Sequence, residues 1–127
     1  MNTALQKERD LLLFGEELDW SKIISLESYT NASPATLDRL IEIKLLDPNH
    51  SNDSPTVGEF IAFMKKYPGF TAHGWARHPR CTNAEVVIEG IAYKGAYSIE
   101  LLRDFTLLCR KADSFVIKED YLYCWFD

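Results

Sequence analysis

Two stretches of alternating residues carry most of the side chains that could bind a partner or do chemistry. Between residues 71 and 77, His73, Trp75 and Arg77 alternate with small residues. Because successive strand residues point to opposite faces, these three larger side chains would share one face. Aromatic rings beside an arginine are the groups that contribute most to protein–protein binding. The first stretch therefore predicts a binding surface rather than a catalytic centre.

A second aromatic stretch, at residues 121–126, would extend the same surface. Tyr121, Tyr123 and Trp125 alternate there with a second apolar set. Glu89 stands in the middle of an apolar run, where a carboxylate must be exposed or paired. Arg77 is its predicted partner across a hairpin, in an ion pair of small energetic value. The complete candidate surface consists of His73, Trp75, Arg77, Arg80, Glu89, Tyr121, Tyr123 and Trp125.

Basic residues also cluster in the middle of the chain. The cluster could meet an acidic partner or an anionic ligand. It could equally be a solvated loop and helix end, where lysine is common, and this simpler interpretation is favoured. Its members are Lys65, Lys66, His73, Arg77, His78 and Arg80.

Catalytic and metal-binding patterns are weak. Cys81 follows His78 and Arg80, whose positive charge could lower its pKa, but no positioned base accompanies it. His73, His78 and Cys81 match no standard zinc spacing, and the chain has no Cys-x-x-Cys. The sequence therefore predicts no catalytic residue, no metal site and no cofactor.

Composition limits the class of binding partner and the cellular compartment that the sequence predicts. The 127 residues suit one domain, and the net charge of −5 opposes a general nucleic-acid footprint. No apolar run approaches membrane-spanning length, and the charges from Lys7 to Asp10 predict that there is no signal peptide. Three cysteines without paired spacing indicate reduced thiols and a cytoplasmic protein. The predicted partner is another protein, not nucleic acid or membrane, and a homodimer is compatible with the sequence.

The best-specified element is a helix at 98–112. Ser98 is a suitable N-cap, and Leu101, Phe105 and Leu108 fall on one face at helical period. Cys109 and Cys124 lie on apolar faces and are predicted to be core residues. In the first half of the chain the predicted elements are a helix at 4–14, a short second helix or an irregular segment at 16–30, a strand Leu37–Leu46 and a polar loop at 47–55. The second half is predicted to contain a helix at 55–67, two strands at 71–77 and 85–93 joined by a loop His78–Asn83, and a strand region Phe115–Phe126.

This order predicts an α+β fold with a ferredoxin-like βαββαβ core at 35–127, preceded by a helical extension at 1–34. Two helices would cover one face of an antiparallel sheet. The small side chains of Ala72, Gly74 and Ala76 would allow those helices to approach closely. The last strand is apolar on both faces, which predicts an inner position in the sheet.

The other face of the sheet has two interpretations. The first thirty residues could fold over it, because Trp20, Ile23 and Ile24 need a packing partner, and this interpretation is favoured. Alternatively, the face stays open and its aromatic side chains bind a partner. Stacking of RNA bases on an open face is disfavoured by the acidic balance and by the missing basic and aromatic RNP pattern.

The functional prediction is a small cytoplasmic, non-catalytic protein-binding domain, of the kind found among bacterial immunity or antitoxin-type inhibitors. The alternative is a small enzyme or ligand-binding domain with a pocket around His73, Trp75, Arg77 and Glu89. A closed concavity would favour the alternative, and a flat face would favour a protein partner.

Overall fold

The computed structural model describes residues 2–81 and 85–127, so Thr82 and Asn83 of the predicted loop lie outside the described residues. The described chain is an α+β fold with four α-helices and one antiparallel sheet of five strands. The elements are α1 (Thr3–Phe14), a 3₁₀ turn (Trp20–Lys22), β1 (Leu26–Ala32), α2 (Pro34–Glu42), α3 (Val57–Lys66), β2 (Phe70–Arg77), β3 (Val86–Lys94), α4 (Ile99–Leu108), β4 (Ser114–Lys118) and β5 (Tyr121–Trp125).

The sheet has the strand order β1-β2-β3-β5-β4, and every neighbouring pair is antiparallel. The predicted pairing of 71–77 with 85–93 is confirmed as the β2–β3 hairpin. β5 lies between β3 and β4, which confirms the inner position predicted for the aromatic C-terminal strand. The predicted strand region Phe115–Phe126 is in fact the hairpin β4–β5, which turns at Glu119 and Asp120.

The predicted strand Leu37–Leu46 is wrong, because most of this stretch is helix α2. Ser33 caps the helix by accepting a hydrogen bond from the Thr36 N–H at 3.2 Å, and Pro34 occupies the first turn. Leu37 and Leu40 are fully buried, and their spacing places them on one helix face. The alternating pattern that suggested a strand also contained this helical period, and the strong N-terminal cap favours the helix.

The predicted helical extension at 1–34 also needs correction, because β1 forms within it. β1 pairs with β2, and its buried residues are Tyr29 and Ala32. Its other side chains are exposed, so the apolar alternation of a half-buried strand is missing from the sequence. The resulting strand order is not a clean βαββαβ pattern, and the ferredoxin-like assignment is not confirmed.

The helices α3 and α4 pack on the same face of the sheet, as predicted. The small side chains of Ala72 and Ala76 are fully buried beneath the helical layer. Phe105 of α4 is fully buried, with its ring stacked on Phe70 of β2 at a centroid distance of 5.6 Å. The core on this face also contains Phe60, Met64, Ile91, Leu101, Leu122, Cys124 and Phe126.

The N-terminal segment joins this core and does not cover the opposite face. α1 packs against α2 and β1, and Trp20 is buried at 6% exposure in the same cluster. The Trp20 indole N–H donates to the buried Asp10 carboxylate at 2.7 Å, which provides the packing partner that the ring requires. The favoured prediction that the first thirty residues cover the helix-free face is therefore wrong.

Candidate functional site

The candidate surface lies on the helix-free face of the sheet, where two strands contribute large side chains. His73 and Trp75 come from β2, and Tyr121, Tyr123 and Trp125 come from β5; all five are half-buried. Their neighbours along each strand point into the core, so alternation places these rings on the outer face. We call His73, Tyr121, Tyr123 and Trp125 the aromatic face.

The aromatic face contains an ordered stack of rings. His73 lies parallel to Tyr123, with ring centroids 4.9 Å apart and an interplanar angle of 7°. Tyr123 continues the stack to Tyr121 at 6.4 Å and 17°. Offset stacking of this kind adds about 0.5–1.5 kcal/mol per pair beyond area burial. The stack holds the three rings in fixed positions relative to one another.

Gly90 is the residue that allows His73 to reach across β3 to β5. His73 is opposite Gly90 in the ladder, and its Nε2 donates to the Cys124 carbonyl at 3.0 Å. A Cβ at position 90 would lie 1.9 Å from that carbonyl oxygen and 2.9 Å from the histidine ring. Glycine at this position therefore makes the stack of His73 on Tyr123 possible.

The stack also sets the protonation of His73. Burial lowers the pKa of His73 from its ordinary value, and the hydrogen bond to the Cys124 carbonyl acts in the opposite direction. The imidazole is consequently neutral at pH 7, with its proton on Nε2 facing the carbonyl. The ring is held by two contacts, the Cys124 carbonyl and the Tyr123 ring.

A shallow groove of about 410 Å³ runs over the aromatic face. One wall is the β1 segment Ser28–Asn31, and the other is formed by the β5 rings. Lys94 lines the groove and is directly opposite Tyr121 in the ladder. Lys118 of β4 is also opposite Tyr121, so two lysines flank that ring. The sequence interpretation missed both lysines because each lies at the end of a strand, next to a turn.

The predicted ion pair between Arg77 and Glu89 does not form. Arg77 is opposite Glu85 at the end of the hairpin, where its N–H donates to the Glu85 carbonyl at 3.2 Å. A register shift between His73 and Gly74 leaves Glu89 as the extra residue of a β-bulge. This bulge was not detectable from the apolar pattern, and it separates the two charges along the sheet.

Arg80 is not part of the aromatic face, although it was predicted to belong to the candidate surface. Its guanidinium donates to the Ile24 carbonyl, and its N–H donates to His78 Nδ1 at 3.1 Å. His78 Nε2 in turn lies 2.9 Å from the Trp20 carbonyl oxygen. Arg80 and His78 therefore hold the loop after β2 against the N-terminal segment.

The rest of the predicted basic cluster is dispersed in the same way. Lys65 pairs with Asp38 at 2.8 Å, which joins α3 to α2. Lys66 pairs with Asp104 at 3.2 Å, which joins α3 to α4. These lysines join helices on the helix-covered side of the sheet. For them the simpler interpretation holds, in which they are solvated side chains at a helix end.

Three apolar side chains near the outer edge of the sheet are more exposed than core residues. Phe115 and Ile117 of β4 are 53% and 41% exposed, and Leu107 of α4 is 57% exposed. Phe115 and Ile117 are opposite Cys124 and Leu122 in the ladder, so they share the helix-covered side of the sheet. We refer to these three residues as the apolar edge, and none of them lines the groove over the aromatic face.

Comparison with protein-family models, curated protein sequences and solved structures found no match to this chain. Within residues 2–81 and 85–127, no helix is both long and apolar enough to cross a bilayer. In the same residues, no three His, Cys, Asp or Glu side chains are grouped as ligands for a metal ion.

The exposure of the tryptophans gives a direct test of the open face. Acrylamide should quench Trp75 and Trp125, which are half-buried, and leave Trp20 almost unquenched. The measurement is a Stern–Volmer titration of the native wild-type chain. The matched control is the variant W75F/W125F, in which only the buried Trp20 emits. Equal quenching of the two proteins would mean that the face is covered.

The cysteines provide a second test of burial. Cys81 is half-buried, whereas Cys109 and Cys124 are buried in the core. The neighbouring Cys124 thiol and burial both raise the pKa of Cys109, which disfavours its reactive thiolate. A thiol reagent should therefore modify one cysteine in the native protein and all three in denaturant. The variant C81S should show no rapid native labelling; modification of Cys109 in folded protein would contradict the assigned core.

Proposed function

We propose that the chain is a small protein-binding domain that holds a partner protein against its aromatic face. The observation that carries this proposal is the stack of His73, Tyr123 and Tyr121 on a sheet face without helices. Large aromatic side chains left partly in water usually mark an interface. Rigid aromatic anchors also bind with little further loss of conformational freedom.

The shape of the groove favours a protein over a single nucleobase or a small substrate. The groove is shallow and is bounded by a strand on one side and by rings on the other. Base stacking requires a free ring face, but Tyr123 has His73 near one face and Tyr121 as its other stacking neighbour. A partner protein could instead cover the ring edges and the flanking lysines together.

The proposal includes a non-catalytic role in the cytoplasm. A bacterial immunity protein or antitoxin acts by covering a surface of its target, and it needs anchors rather than reactive groups. The neutral His73 and the dispersed basic residues are consistent with such a role. The acidic net charge of −5 is also consistent with it.

Replacing Trp125 with alanine should weaken partner binding by about 2 kcal/mol, or roughly thirtyfold in Kd. Trp125 lines the groove, whereas Ile99 is 87% exposed on α4 and does not line it. The experiment is affinity capture from the producing cells with wild-type, Trp125→Ala and Ile99→Ala proteins as baits. The same protein should be captured by wild type and Ile99→Ala and be lost with Trp125→Ala.

The captured protein is then purified, and its Kd is measured against the three baits. Melting temperatures of the baits show whether Trp125→Ala has altered the fold rather than the contact. Equal Kd values for all three baits would remove the aromatic face as the binding surface. Equal loss in Trp125→Ala and Ile99→Ala would point instead to a general effect on folding.

A further inference from the structure

Two opposite charges stand unpaired on the helix-free face, on either side of Trp75. Within residues 2–81 and 85–127, the Arg77 side chain makes no hydrogen bond or ion pair, and its Nε is buried without a partner. The carboxylate of Glu89 is likewise without a hydrogen bond or ion pair in that part of the chain. A buried, unsatisfied guanidinium nitrogen is costly, so these groups require a physical explanation.

The side chains around these charges enclose a notch of about 270 Å³. The Arg77 guanidinium folds back over the Trp75 ring, with Cζ 5.4 Å from the ring centroid. Trp75 is opposite Val87 in the ladder, and Glu89 lies two residues further along β3. Trp75 and Val87 therefore line the notch between Arg77 and Glu89, and the exposed Glu85 lies opposite Arg77 without forming an ion pair with it in the described part of the chain.

The notch exists because the sheet is incomplete beside β3. β5 pairs with β3 only at Ala92, Tyr93 and Lys94, so the first half of β3 has no strand on that side. The Phe126 N–H donates to the Glu89 carbonyl at 2.7 Å, and Asn52 donates to the Asp127 carbonyl at 2.7 Å. These bonds hold the polar loop and the C-terminal segment as the outer wall of the notch.

The charges select for a particular ligand chemistry. A simple anion would meet Arg77 but would be repelled by the three carboxylates that also line the notch, Glu85, Glu89 and Asp127. A simple cation would meet the carboxylates and be repelled by Arg77. We propose that the notch binds a small zwitterion, of which a free α-amino acid is the plainest example. Its carboxylate pairs with the Arg77 fork, and its ammonium group pairs with Glu89.

The size and shape of the notch agree with this class. A volume of 270 Å³ lies near the lower end of small-molecule pockets, which excludes large cofactors. The half-buried indole of Trp75 offers an apolar surface for a small side chain. The ligand would accept hydrogen bonds from the Arg77 guanidinium, which donates to no group in the described part of the chain. This site adjoins the partner site proposed above, because Glu89 lines both, but the Trp125 side chain lines only the groove of the aromatic face.

The test is calorimetric titration of the full chain with L-alanine and L-glutamine, and with propionate and propylamine as singly charged controls. An amino acid should bind at least tenfold more tightly than either control compound. Emission of the variant W125F should change on the same titration curve, because of its two tryptophans Trp75 lines the site and the buried Trp20 does not. If no amino acid binds with a Kd below about 1 mM, the proposal is wrong. Equal binding of all four compounds would also overturn it.

Substitutions of Arg77 and Glu89 test the role proposed for each charge in amino-acid binding. Arg77→Met and Glu89→Gln should each weaken amino-acid binding at least tenfold, whereas the exposed Arg110→Met and Glu119→Gln should leave it unchanged. If Arg77→Met does not fold, Arg77→Lys keeps the charge, loses the fork, and should still weaken binding. Trp125→Ala should leave the Kd for the amino acid unchanged. The amino-acid site and the partner site can therefore be refuted separately. Unchanged binding in both Arg77→Lys and Glu89→Gln would contradict the assignment.

Discussion

Replacing Asp10 with alanine is expected to destabilise the fold by about 3–5 kcal/mol, the range for breaking a buried ion pair. Asp10 is completely buried and accepts hydrogen bonds from the Trp20 indole at 2.7 Å and the Leu18 N–H at 3.2 Å. It also lies 3.5 Å from Arg9, which is completely buried as well. Removing the carboxylate would leave the Arg9 charge without this counterion and the indole N–H without its acceptor.

The measurement is urea unfolding of wild type and Asp10→Ala at pH 7. The matched control is Glu16→Ala, because Glu16 is an exposed carboxylate just beyond α1 and should change stability by no more than about 0.5 kcal/mol. Asp10→Asn should lie between wild type and Asp10→Ala, since it retains an acceptor for the indole. A loss below about 1 kcal/mol in Asp10→Ala would show that the cluster does not anchor the N-terminal segment.

Replacing Phe105 with alanine is expected to cost about 3–5 kcal/mol, the usual range for truncating a buried phenylalanine. Phe105 is fully buried, stacks on Phe70 at 5.6 Å and lies 6.4 Å from the Phe63 ring. The substitution would leave a cavity where α3, α4 and the sheet meet. Because this region is close-packed, neighbouring rings can relax into the cavity only partly.

The same unfolding measurement on Leu107→Ala provides the control on α4, because that side chain is 57% exposed. Its loss should stay below about 1 kcal/mol, with an m-value close to that of wild type. If Phe105→Ala and Leu107→Ala lost the same stability, the buried face of α4 would be assigned to the wrong side of the helix.

The hairpin β2–β3 and the helices α3 and α4 were predictable because local and global signals agree there. Ala72 and Ala76 alternate with His73 and Trp75, which specifies both the strand and its faces. Thr56 and Glu59 form a capping box that starts α3. The notable failure was α2, whose apolar residues fit a period of two as well as the helical period, so the pattern alone could not decide.

β1 was missed because an edge strand receives its structure from its neighbour. Its exposed residues Glu27, Ser28 and Asn31 show no apolar alternation, and the pairing with β2 organises them. The ferredoxin-like prediction is not confirmed, because its order had no strand before residue 35. Tertiary pairing of this kind is not encoded in the local pattern.

The candidate site was predictable in its residue types and only partly in its geometry. Alternation placed His73 and Tyr123 on one face, but their stacking depends on the empty space above Gly90. The bulge at Glu89 could not be predicted from the sequence. Because of this bulge, Glu89 does not form the ion pair that was predicted with Arg77.

Hydroxyl-radical footprinting with and without the captured partner tests the central claim, binding through the aromatic face, most directly. Side-chain oxidation of Tyr121, Tyr123 and Trp125 is measured by mass spectrometry and compared with oxidation of the apolar edge, Leu107, Phe115 and Ile117. On binding, oxidation should fall at the three β5 rings and stay unchanged at the apolar edge. Protection of the apolar edge with undiminished oxidation of Tyr121, Tyr123 and Trp125 would contradict the account.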